Sequence, residues 1–294
     1  MTKSHKKFQI SANIIMAVVT VIAVLPFVLL FVASISDSME IALHGYSFFP
    51  SKLSLEAYAY IWTEKSQIFS AYFITILVTA IGTSVSLFIT MMYAYVLSKP
   101  SFFGKKFFTI YILFTMLFNG GLVPTYTMYT RYLHIKNTIW ALIIPSLLMS
   151  AMNVILIRSY IQNNVPASLT ESAQIDGASE FTCFRTIVFP LSKPIVVTIG
   201  MFIGVAYWND WTNGLYYVTN SRLFSIQQLL NNMLKNIEFL STSSVASQAS
   251  GAVSIPQSTV RMAIAVVGLL PILVIYPYVQ KFFVKGITMG AVKG

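Results

Sequence analysis

From Ile10 to Ile35 the chain runs without one charged residue. A helix of about 20 apolar residues crosses the hydrocarbon core of a bilayer. Five more apolar stretches follow, and the six run roughly Ser11–Ser34, Ser70–Leu97, Phe107–Met128, Thr138–Ile161, Pro194–Tyr217 and Val260–Val279. They are continuous rather than alternating in character, which argues against a transmembrane β-barrel. The reading is an all-α integral membrane protein with six transmembrane helices. Composition agrees. The chain is 56% hydrophobic and only 10% charged, against about 25% charged in soluble domains. A soluble globular enzyme and a disordered chain are both excluded. Lys3, Lys6 and Lys7 ahead of the first run imitate a secretion signal. That run is about twice the usual signal length and ends in no convincing cleavage site, so a retained first helix is expected.

Charge supplies the orientation. With the N-terminus inside, twelve of the nineteen basic residues fall on inner segments, among them Lys99, Lys105, Lys106, Arg158 and Arg185. Six of the nine acids fall outside, and the other three are Glu171, Asp176 and Glu180. The positive-inside rule then puts both termini in the cytoplasm. The net charge of +10 reads as a topological label on a multi-pass protein of the lipid bilayer, not as an affinity for nucleic acid. One transmembrane domain over 1–294 is expected, without internal repeats. It has an inner segment around 165–190, an outer loop at 218–259 with a flexible Ser241–Ser250 run, and a cytoplasmic tail at 281–294. Cys183 is the single cysteine, and His5, His44 and His134 are scattered. No disulfide, metal site or resident cofactor is expected.

The inner segment carries the most information. Pro166 suits the start of a helix. Ser168 or Thr170 could cap it, and Gly177 can supply the left-handed turn that ends it. A second short helix would run to Pro190. Glu171, Ala173, Gly177, Ile187 and Pro190 stand in one register. That register resembles the EAA loop of bacterial ABC-importer permeases, which reads Glu-Ala-Ala, three residues, Gly, nine residues, Ile-x-Leu-Pro. Ser172 replaces the first Ala and Phe189 the Leu. The resemblance implies a type I (MetI-like) permease fold and a coupling helix, with Asp176 beside its turn, that docks on a separate ATPase.

The likeness extends along the chain. Tyr207-Trp-Asn-Asp-Trp-Thr-Asn213, the last span and the tail through Gly290, Lys293 and Gly294 resemble the carbohydrate-type, maltose-type permeases. It implies import of an oligosaccharide or related carbohydrate by alternating access. Implied partners are a second homologous permease, two ATPase subunits and an extracytoplasmic sugar-binding protein, with the tail reaching the ATPases. No G-x-x-x-x-G-K-[ST] sequence is present, so ATP and Mg would be bound by the partner ATPase.

Polar residues within spans are costly and often line pathways. Asn119, Asn153, Trp208, Asn209, Asp210, Trp211 and Asn213 are the pathway or gate candidates. Helical spacing puts Trp208 with Trp211 on one face and Asn209 with Asn213 on another. Aromatic rings and amides suit a sugar, but the same residues serve as interfacial anchors or helix caps. Gly120, Gly121 and Pro124 mark either a gate or a helix end, and Pro145, Pro271 and Pro277 are expected kinks. Two rival functions remain at this level. One is an ABC permease for an amino acid, peptide or polyamine. The other is an ion-coupled secondary transporter or membrane enzyme, which would need more ionisable groups inside the spans than are present.

Overall fold

The computed structural model describes residues 3–242 and 257–291. Their regular elements are helical, apart from one isolated bridge between Ser36 and Leu53. The chain forms two compact units, residues 1–66 with 230–272 and residues 67–229 with 273–294.

The first unit opens with α1 (Lys3–Ser34), which runs through Pro26. Ile14, Ile15 and Met16, which point about 100° apart around the helix, are all more than half exposed. A helix that is apolar all round and exposed along its length is long and apolar enough to cross a membrane. Two short helices follow, α2 (Ser38–His44) and α3 (Glu56–Thr63). Asp37 starts α2 by accepting the N–H groups of Met39 and Glu40. The Glu40 carboxylate accepts from the Ser51 and Lys52 N–H groups at 2.6 and 2.8 Å. Those backbone bonds hold its pKa below the ordinary carboxylate value. One side chain thereby pins the segment between α2 and α3.

In the second unit the long helix α4 (Lys65–Ser98) turns a face of small and hydroxyl residues inward, with Ala71, Thr75, Gly82, Ser86, Thr90 and Ala94 all buried. Next come α5 (Lys105–Leu117) and α6 (Leu122–Thr127), the latter continuing as a π-turn to Tyr132. They meet at 112°, so the third apolar stretch is broken rather than straight. Gly121 sits at φ +83° in the break, a conformation that side chains disfavour. Asn119 accepts the Gly121 N–H at 2.9 Å.

The fourth stretch, expected as one span over Thr138–Ile161, is also interrupted. It consists of α7 (Trp140–Ile143) and α8 (Ala151–Asn164) with non-helical chain between them. The loop after α8 carries α9 (Ala167–Ile175), α10 (Glu180–Cys183), a π-turn over Phe184–Val188, and α11 (Phe189–Leu191). The fifth stretch then divides into α12 (Lys193–Asn209) and α13 (Thr212–Tyr217). Helices α4 and α12 approach closely because glycine faces them at each level. A side-chain carbon on Gly82 would lie 2.6 Å from the Tyr207 ring, and one on Gly200 would meet Leu87 at 3.2 Å. Small residues serve this purpose in membrane helix packing.

Residues 218–259, expected as an outer loop, contain a regular helix, α14 (Ile226–Thr242). Ile226, Leu229, Leu230 and Ile237 recur at helical spacing and are buried, a period the loop reading overlooked. Most of the expected flexible serine run lies outside the described residues. The last helix, α15 (Gln257–Ala291), is continuous through Pro271 and Pro277.

Candidate functional site

The loop 165–190 is a helix, a left-handed turn and a second helical stretch. Pro166 precedes α9, as a residue without a donor suits a helix start. Neither Ser168 nor Thr170 caps it. Thr170 lies inside α9 and donates to the Ala167 carbonyl at 2.9 Å, which corrects the capping expectation. Gly177 has φ +86°. The Ala178 N–H donates to the Ala173 carbonyl at 2.8 Å, closing the helix end. Helix α9 buries none of its residues.

On α9 and its closing turn the structure brings together Glu171, Ser172, Ala173, Asp176 and Gly177. Glu171, Ser172 and Asp176 are exposed. Ile175 is 87% exposed, and Leu169 and Phe181 are also exposed. The Glu171 carboxylate takes no hydrogen bond or ion pair among the described residues and stands beside these exposed apolar side chains. Ile187 is half-buried in the π-turn and Pro190 lies exposed on α11.

A second set of contacts holds this loop to the end of α4. Glu180 Oε2 accepts from Tyr95 Oη at 2.9 Å and forms an ion pair with Lys99 Nζ. Its Oε1 accepts from Gln174 Nε2 at 2.8 Å. The Lys99 hydrogen bond, more than any other contact, holds the Glu180 pKa below the ordinary carboxylate value. Burial opposes that lowering, and the Tyr95 bond adds to it. The Lys99 ammonium also sits 4.8 Å from the centre of the Tyr95 ring. Phe184 packs against Tyr95 with ring centres 5.5 Å apart. Sequence reasoning passed over this role for Glu180, because its partners, Tyr95 on α4 and Lys99 just beyond it, lie more than eighty residues earlier in the chain.

The expected pathway residues fall into different roles. Trp208 and Trp211 do not share a helical face, because the helix is interrupted between them. Asp210 is extended and its Oδ1 accepts the N–H groups of Thr212 and Asn213 at 3.1 and 3.3 Å, starting α13. Trp208 is buried at 7% exposure, while Trp211 is 42% exposed. The same interruption separates Asn209, which is exposed, from Asn213, which is buried. Asn213 Nδ2 donates to the Pro145 carbonyl at 2.9 Å. Tyr207 Oη donates to the Ile143 carbonyl at 2.9 Å, and Ser86 Oγ donates to that of Leu147 at 3.3 Å. Three side chains from α4, α12 and α13 thus donate to carbonyls at the break between α7 and α8, where the Pro145 carbonyl also accepts the Leu147 N–H at 2.8 Å. Irregular backbone at membrane depth is tolerated where such groups are satisfied. Asn119 is exposed and spends its side chain on Gly121, and Asn153 is half-buried on α8. Gly290 lies on α15, while Lys293 and Gly294 lie outside the described residues.

The comparisons with known proteins agree with this architecture. Residues 71–289 match the family described as binding-protein-dependent transport system inner membrane component. The polygalacturonan/rhamnogalacturonan transport system permease protein of Bacillus subtilis is 36% identical over 273 residues, covering 93% of each chain. Protein LplC of the same organism is 34% identical, covering 100% of this chain and 97% of that one. The structure matches a chain from a bacterial ABC transporter involved in the import of the acidic polysaccharide alginate. The TM-score is 0.80 and the identity 28%, over 96% of this chain and 99% of that one. The chain belongs to the family of binding-protein-dependent transport system inner membrane components. It is a membrane permease with the MetI-like helical fold.

Proposed function

We propose that the chain is the membrane-spanning permease subunit of an ATP-driven importer of oligosaccharides or related carbohydrates. It works by alternating access and performs no chemistry on its cargo. The observation that carries this reading is the end-to-end likeness to a polygalacturonan/rhamnogalacturonan permease. The polysaccharide importer of known structure supports it.

In this reading the six apolar stretches are six spans with both termini cytoplasmic, and 165–190 is the coupling loop. Glu171, Ser172, Ala173, Asp176 and Gly177 dock on a separate ATPase, with Ile187 and Pro190 fixing the return to α12. The partners are a second homologous permease, two ATPase subunits that bind ATP and Mg, and an extracytoplasmic sugar-binding protein. The tail with Gly290, Lys293 and Gly294 approaches the ATPases. Closure of the ATPases on ATP displaces α9, the spans open outward to receive sugar, and hydrolysis returns them inward.

The test is to purify the complex with its binding protein. ATP hydrolysis is then measured against a panel of galacturonan, rhamnogalacturonan and alginate oligomers and neutral oligosaccharides. Stimulation by a carbohydrate is expected. Stimulation by amino acids, peptides or polyamines alone would overturn the carbohydrate assignment.

A further inference from the structure

We propose that Glu180 is the positioning residue through which a displacement of α9 is passed to α4. The inference rests on the reading of 165–190 as the loop that docks on the ATPase. Its basis is the division of labour within one carboxylate. Oε1 takes Gln174 from α9, and Oε2 takes Tyr95 on α4 and Lys99 just beyond it. Glu180 itself opens α10, with Ser179 accepting the Thr182 N–H as its cap. Three helices therefore meet at one side chain.

The surroundings show why this link matters. A helix that buries none of its residues, as α9 does, is held through its ends and its polar ties. The apolar part of the joint is Phe184 against Tyr95, and that belongs to the stretch after α10. The Sγ of Cys183 reaches the Thr170 carbonyl only at 3.9 Å, a weak bond. Among the described residues, the Gln174–Glu180–Lys99/Tyr95 chain is thus the polar route from the docking helix to the 34-residue α4. Partly exposed ion pairs add little to stability. What this one supplies is a fixed distance between two elements, which is what a coupled displacement needs.

Spin labels test the link without knowledge of the cargo. Cysteines replace the exposed Ser101, beyond the end of α4, and the exposed Ser168, on α9, in a Cys183→Ser background. The complete complex is measured by pulsed electron resonance, nucleotide-free and trapped with Mg-ATP and vanadate. With Glu180 present, the 101–168 distance is expected to be the same in both states, because the two sites move together. In Glu180→Ala it is expected to shift by an ångström or two on trapping. The swapped pair Lys99→Glu with Glu180→Lys should return it. Gln174 can then turn its carbonyl to the new ammonium, a rescue that mere loss of packing does not allow. An unchanged distance in Glu180→Ala overturns the proposal, as does a swapped pair that behaves like the alanine variant. Glu171→Lys separates this proposal from the reading beneath it. If that variant keeps its ATPase subunits, the docking assignment fails. If it loses them while Glu180→Ala shows no shift, only the linkage through Glu180 fails.

Discussion

Two regions of this chain are rich in polar side chains and use them in opposite ways. Around the break between α7 and α8 the chain consumes its own polar groups. Tyr207, Asn213 and Ser86 donate to three carbonyls there, and Asp210 takes two backbone N–H groups. On α9, Glu171 and Asp176 stand exposed among exposed apolar side chains such as Ile175. The first pattern is what burial imposes, since a buried backbone group left unpaired costs about 1–3 kcal/mol. The second is what a surface awaiting a partner looks like. Chemical type alone does not mark a functional residue here. Asn213 looks suited to a sugar hydroxyl and is employed in holding the fold, whereas Glu171 stands exposed on α9 and is the residue proposed for docking.

The largest effect that sharpens this contrast is expected at Glu171. Glu171→Lys reverses a charge that makes no hydrogen bond or ion pair among the described residues. The purified subunit should keep its melting temperature while ATPase co-purification and coupled ATP hydrolysis fall by about tenfold or more, the scale of a lost charge-assisted contact at an interface. A drop in melting temperature with hydrolysis intact would reverse the contrast and make α9 a structural element.

Asn213→Ala should behave in the opposite manner. It removes one of two donors to the Pro145 carbonyl, which keeps the Leu147 N–H at 2.8 Å, at a cost of about 0.5–1.5 kcal/mol for one lost hydrogen bond. Thermal unfolding in detergent should begin at lower temperature, and transport should fall only as far as folded protein is lost. If stability stays unchanged while uptake narrows to fewer sugars, Asn213 belongs to the pathway after all.

The same contrast explains what the sequence made legible. The spans at α1 and α4 follow from long uncharged runs. The helix α9 and its closing turn follow from a spacing confined to twenty residues, and Gly177 follows from the left-handed conformation it occupies. The break near Pro145 was legible only as a kink. Ile143, Ile144, Leu147, Leu148 and Met149 keep that stretch as apolar as any helix, and hydropathy does not register where its carbonyls go. Their donors lie on other helices, more than sixty residues away in the chain. Glu180 was hidden for the same reason. Side chains that serve local geometry can be read from spacing, while those that serve distant backbone or distant helices need the fold.

Tyr207→Phe is the smallest and most discriminating test of that last point. The ring remains, so its contact with Gly82 on α4 is kept. Only the hydrogen bond to the Ile143 carbonyl is removed. Hydrogen bonds between membrane helices average about 0.6 kcal/mol and reach about 1.7 kcal/mol. A loss within that range is expected in the unfolding equilibrium of the purified subunit, with transport unchanged. If the loss exceeds that of Asn213→Ala, the break is held chiefly from α12. If no loss is measurable, the Ile143 carbonyl has found another donor, and the burden of the break rests on Asn213 and Ser86.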